Sequence, residues 1–121
     1  MAVSLYIYSN TYFMERRIRT GLIGYGLGGR CFHAPFIGTL PQYELVSVVE
    51  RKTNESVERY PWVKIVRSVE ELLRDDSLEL IVVTTPNETH FPFALQALEA
   101  GKHVVVDKPM TVSSKEAMIL I

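Results

Sequence analysis

A chain of 121 residues is long enough for one domain with a sizeable core and too short for two. Thirteen basic residues nearly balance fourteen acidic ones, so no charge excess points to nucleic acid or an anionic membrane as a partner. The single cysteine, Cys31, excludes an internal disulfide and fits a reduced, cytoplasmic setting, while His33, His90 and His103 lack metal-ligand spacing.

Residues 1–18 read as an amino-terminal extension outside the core fold. "AVSLYIYSNTYF" is apolar but too short to span a bilayer, and it lacks the basic start of a signal peptide. Val3, Leu5 and Ile7 alternate with Ser4, Tyr6 and Tyr8 in the period of a strand, and Met14 offers a second start. The domain is read over residues 19–121. "RTGLIG" is a short apolar strand running into Gly24, Gly26 and Gly29, which are spaced G-x-G-x-x-G. A helix is predicted from Leu27 or Gly28, with Phe32 and Phe36 on its inner face and Pro35 kinking or splitting it. Glu44–Glu50 and Val63–Val66 are the second and third strands.

Ser68 and Glu71 form a capping box for a short helix. Leu78–Thr85 is nearly all apolar and rich in β-branched residues, the pattern of a strand buried on both faces. Asn87 is placed to cap a helix whose Phe91, Ala94, Leu95 and Leu98 share one face, and Gly101 suits the position past its end. His103–Asp107 reads as another buried strand. Ser113 and Glu116 then cap a helix, "KEAMILI", which stops on apolar residues without a C-cap. The sequence therefore reads as the amino-terminal piece of a longer protein.

Strands alternating with helices predict an α/β fold, a doubly wound parallel sheet of the Rossmann NAD(P)-binding kind. Ligands bind such sheets at the carboxyl ends of the strands. The glycine loop, Glu50, Thr84–Asn87 and Asp107–Pro109 all follow strand ends. A dinucleotide needs a glycine for the tight turn, one for close approach to the pyrophosphate and one for helix–strand packing. Gly24, Gly26 and Gly29 take these tasks, and Tyr25, Leu27 and Gly28 complete the loop. Glu50, about 20 residues beyond the last glycine, can accept hydrogen bonds from the ribose hydroxyls. Its carboxylate favours NAD, whereas the Arg51 guanidinium favours the 2′-phosphate of NADP; the balance leans slightly to NAD. Cys31 is expected to pack rather than react.

Two stretches, "GLIGYGLGG...FHAPF" and "VVTTPNETHFPFALQALEAGKHVVVDKPMT", resemble the Gfo/Idh/MocA oxidoreductases over roughly residues 19–121. "GYGLGGRCFHAPF" is most similar to the scyllo-inositol dehydrogenase-like branch. The resemblance implies a nicotinamide-dependent oxidoreductase acting on a hydroxyl of a sugar or polyol, such as a cyclitol. It also implies a second domain, absent here, that holds the substrate pocket, the acid/base histidine and the contacts of a homo-oligomer. "DKP" resembles the family's E-K-P motif. By that likeness Lys108 is catalytic, orienting the substrate and stabilising the developing alkoxide, and Asp107 stands one methylene short of the usual glutamate. "TTPNETH" implies that Thr85, Pro86 and Asn87 pass beside the nicotinamide ribose and pyrophosphate. His90 either touches the cofactor edge or packs and bonds to backbone. A dinucleotide-sensing regulator of the same fold is the competing reading.

Overall fold

Successive apolar residues of one strand pack on opposite faces of the sheet. Leu22, Val48 and Val82 join one buried cluster, and Ile23, Val49 and Val83 join another. Strands of this kind are stable only with helices on both faces. The structure, a computed structural model that describes residues 16–121, builds that arrangement, and nearly all of the expected extension lies outside the described residues. Five strands, β1 (Ile18–Ile23), β2 (Tyr43–Val49), β3 (Lys64–Val66), β4 (Leu80–Val83) and β5 (His103–Val106), pair in parallel in the order β3-β2-β1-β4-β5. They are joined by a π-helical turn, α1 (Gly28–His33), and by α2 (Ala34–Ile37), α3 (Ser56–Arg59), α4 (Val69–Leu73) and α5 (Asn87–Glu99); α6 (Ser114–Leu120) follows β5. Ala34, Ile37, Tyr60 and Val63 cover one face, and Val69, Leu72 and Ala97 cover the other. The winding reverses between β1 and β4, which makes their carboxyl ends the switch point of a doubly wound sheet.

Several local expectations are met by the chemistry that suggested them. Ser68 and Ser113 accept hydrogen bonds from the amides of Glu71 and Glu116 at the starts of α4 and α6. Gly101 has φ +78 just past α5, and the Lys102 amide closes back on the Ala97 carbonyl. Pro35 divides the first helix, falling in the first turn of α2.

Others are corrected. Phe32 and Phe36 are 62% and 59% exposed, and Ala34 and Ile37 carry the buried face instead. The π-helical turn before Ala34 is wider than an α-turn, so the two rings rotate outward. Cys31 is exposed on the same turn rather than packed. Asn87 is the first residue of α5 and caps nothing; Pro86 precedes it and accepts a hydrogen bond from the Thr89 hydroxyl. The buried face of α5 is His90, Ala94 and Ala97, because small residues let the helix approach β4 and β5 closely, and Leu98 is left outside. β5 is no buried strand. It is the sheet edge, and its residues alternate between exposed and half-buried. The short α3 has no clear signal in the sequence.

Leu72, buried at 1% exposure, joins α4 to the cluster beneath β1 and β4. Replacing it with alanine should cost about 2–5 kcal/mol, read as a lower urea midpoint at unchanged slope.

Candidate functional site

β1 ends at Ile23, and the chain turns at Gly24 with φ +99, a conformation that side chains rarely adopt. The Thr84 hydroxyl, just past β4, lies 3.0 Å from the Ile23 carbonyl oxygen and 3.1 Å from that of Gly24, fastening the turn to its neighbour. Gly29 of α1 rests on the same turn. A Cβ there would overlap the Gly24 carbonyl oxygen and come within 2.8 Å of the Thr84 hydroxyl. Gly28 packs toward the end of β5, where a Cβ would stand 3.0 Å from Asp107 Oδ2. Gly26 differs from all of these, because a Cβ at Gly26 meets nothing within 4 Å.

The space beside Gly26 belongs to a groove of about 550 Å³ at the carboxyl ends of β1, β2 and β4. Among the residues singled out from the sequence, it brings together Gly24, Tyr25, Gly26, Glu50, Arg51, Thr85 and Pro86. Leu27, Gly28, Gly29, Asn87, His90, Asp107 and Lys108 stand outside its walls. Arg67, Thr53 and Thr89 line it without having been foreseen. The Tyr25 hydroxyl is pushed above its ordinary pKa by burial and by the neighbouring Tyr60 and Glu50. A smaller groove of about 270 Å³ on the other face is lined by Phe32, Phe36, Leu40 and Val105, with His33 its one basic side chain. It offers little to a phosphate.

Glu50, expected to face the ribose, is 4% exposed and has four donors of its own. The Thr53 hydroxyl and the Glu55 amide donate to one carboxylate oxygen, each at 2.9 Å. The Ser56 amide, at 3.2 Å, and the Ser56 hydroxyl donate to the other. A carboxylate offers roughly four lone-pair positions, so little acceptor capacity remains. Burial pushes this carboxyl up, but the hydrogen bonds from Ser56, Thr53 and Glu55 outweigh it and hold the pKa below its usual value. Arg67 braces the same loop, donating to the carbonyls of Glu50 and Thr53 at 2.9 and 2.6 Å and to Asn54 Oδ1. The loop thus turns its carboxylate inward. Arg51 and Lys52 are exposed, and among the described residues their side chains make no hydrogen bond or ion pair.

At the end of β5, the Asp107 carboxylate accepts from the Lys108 amide at 2.9 Å and lies 3.7 Å from His33 Nε2. His90 is buried. Its Nδ1 is 2.6 Å from the Pro109 carbonyl oxygen and its Nε2 is 2.7 Å from that of Thr85. Both ring nitrogens thus face backbone carbonyls.

Residues 18–121 match the model of a family described as "Oxidoreductase family, NAD-binding Rossmann fold". The chain is 47% identical over 104 residues to the uncharacterized oxidoreductase YdgJ of Escherichia coli, covering 86% of this chain and 30% of that protein. It is 37% identical over 103 residues to scyllo-inositol 2-dehydrogenase (NADP(+)) IolW of Bacillus subtilis, covering 85% of this chain and 29% of that one. It superposes with a TM-score of 0.78 and 31% identity on the crystal structure of GenD2 from gentamicin A biosynthesis in complex with NAD, covering 88% of this chain and 31% of the other. The chain therefore spans about a third or less of the length of these relatives.

Glu50→Gln should place an amide NH₂ against the Ser56 or Thr53 and Glu55 donors and cost about 1–3 kcal/mol in a denaturant titration. Because the folded pKa of Glu50 is depressed, its contribution is complete above the ordinary carboxylate range and is lost as pH falls through the folded value. The stability gap between wild type and Glu50→Gln should therefore shrink on acidification.

Proposed function

The chain belongs to the Gfo/Idh/MocA oxidoreductases, a family with an NAD-binding Rossmann fold, and from that premise we propose that it is the dinucleotide-binding part of a dehydrogenase acting on a hydroxyl of a sugar or cyclitol. The observation that carries the reading is the open groove beside Gly26, bounded by a turn that only glycine at 24 and 29 permits. A bound nicotinamide dinucleotide supplies the hydride acceptor or donor. This chain's residues bind and orient it. Gly26 leaves room for the pyrophosphate, and Thr85 and Pro86 form the wall toward the nicotinamide ribose. Lys108, past the end of β5, offers an ammonium that orients the substrate hydroxyl and stabilises the alkoxide developing there. IolW and the NAD complex of GenD2 support both a cyclitol-type substrate and a nicotinamide cofactor.

The choice between the two dinucleotides turns on Glu50. A carboxylate facing the ribose repels a 2′-phosphate, whereas one saturated by its own loop has little left to offer the hydroxyls. Arg51 then dominates this end of the groove, and the chain takes NADP in preference to NAD, reversing the lean read from the sequence.

Gly26→Val should abolish binding of NADPH and NADH with little change in melting temperature, since the added side chain meets only open groove. Unaltered fluorescence titrations would overturn the assignment. Wild type should bind NADPH roughly tenfold more tightly than NADH through a charge-assisted contact, and Arg51→Ala should bring the two affinities together. Equal affinities in the wild type would return Glu50 to the role of ribose reader.

A further inference from the structure

Lys108 is carried on a turn with one tie to the body of the domain. Before the turn, the Asp107 amide is fixed to the Val83 carbonyl at the end of the β4–β5 pairing. Within residues 108–112, the other hydrogen bonds among the described residues reach no more than two residues along the chain, from the Lys108 amide to Asp107 and from the Thr111 hydroxyl to the Ser113 carbonyl. Among the described residues, the single hydrogen bond that links this turn to another element comes from His90 Nδ1 in α5 to the Pro109 carbonyl, at 2.6 Å.

The same ring reaches the opposite way. Nε2 lies 2.7 Å from the Thr85 carbonyl, and Thr85 is a wall of the dinucleotide groove. One side chain, 1% exposed, thus joins the groove wall to the turn that bears Lys108. Both partners are carbonyl oxygens, which only accept. The hydrogen bond to Pro109 therefore has Nδ1 as its donor, and Nε2 stands against the second carbonyl. The position is on the buried face of α5 beside Ala94 and Ala97, where packing alone would be served by an apolar residue. An imidazole has what the link needs, two polar nitrogens on opposite edges of one rigid ring.

We propose that His90 is the positioning residue for Lys108, holding the Lys108–Pro109 turn at a set distance from the Thr85 wall so that the ammonium stays at the cofactor's reacting end. The inference rests on the reading of the groove as a dinucleotide site with Lys108 at its working end. It assigns His90 no contact with cofactor or substrate. Its effect is transmitted through two backbone carbonyls, so its loss leaves the pyrophosphate and ribose contacts in place.

The test is chemical labelling of Lys108 by reductive methylation, followed by mass spectrometry, with and without NADPH. In the wild type, NADPH should shield Lys108. In His90→Phe, which keeps a ring and removes both nitrogens, Lys108 should label roughly tenfold faster in the presence of NADPH, as expected for loss of the one hydrogen bond to the turn, while NADPH affinity stays within about twofold. If the wild type binds no dinucleotide, the reading of the groove fails, and the inference falls with it. If it binds and His90→Phe leaves Lys108 as well shielded as before, the link alone is overturned. Should His90→Phe not fold, nitrogen-15 spectra of the wild-type imidazole decide: a proton on Nδ1 supports the link to the Pro109 carbonyl, and a bare Nδ1 overturns it.

Discussion

The contact between Gly29 and the Gly24 turn, held by the Thr84 hydroxyl, is the constraint on which the rest of the site depends. The helix after β1 can start this close to the strand only because no side chain intervenes at either glycine. Thr84 belongs to the end of β4, so the same contact joins the two strands that flank the switch point. The groove beside Gly26 is what remains when the helix start, the β2 loop and the β4 loop are brought together around it.

Electrostatics divides the carboxyl edge of the sheet. At the β2 end, an acidic residue organises its own loop, and its charge is spent on Thr53, Glu55 and Ser56. Two cations remain exposed there, Arg51 and Lys52, while Arg67 is committed to the loop carbonyls. At the β5 end, Asp107 meets His33 and the Lys108 amide, and the buried His90 ring bridges two loops. Each end is thus built from a polar side chain that supports backbone, with a cation left free beyond it.

The fold was largely legible in the sequence because its signals are local. Apolar β-branched runs, two serine capping boxes and a glycine at the end of a helix each state a backbone preference that the packing does not contradict. What failed depended on phase or on neighbours. Phe32 and Phe36 have helical spacing, but the π-helical turn that holds Phe32 and precedes Phe36 rotates them outward. β5 looks like a core strand by composition, and only the strand order makes it an edge. Glu50 follows the second strand at the spacing read from the sequence, and the four hydrogen bonds that Thr53, Glu55 and Ser56 donate to its carboxylate have no sequence signal. Ser56 lies six residues downstream, and no periodicity connects the two. Arg67 was illegible for the same reason, since its partners are the carbonyls of a loop more than ten residues away.

The proposed function requires a dinucleotide in the groove beside Gly26 rather than in the apolar groove on the other face. Mapping amide chemical shifts of the nitrogen-15-labelled chain during an NADPH titration tests it most directly. The largest, saturable shifts are expected at residues 24–28, 51–55 and 84–87, with Leu40 and Val105 little moved. Shifts concentrated around Leu40 and Val105, or none at millimolar NADPH, would contradict it.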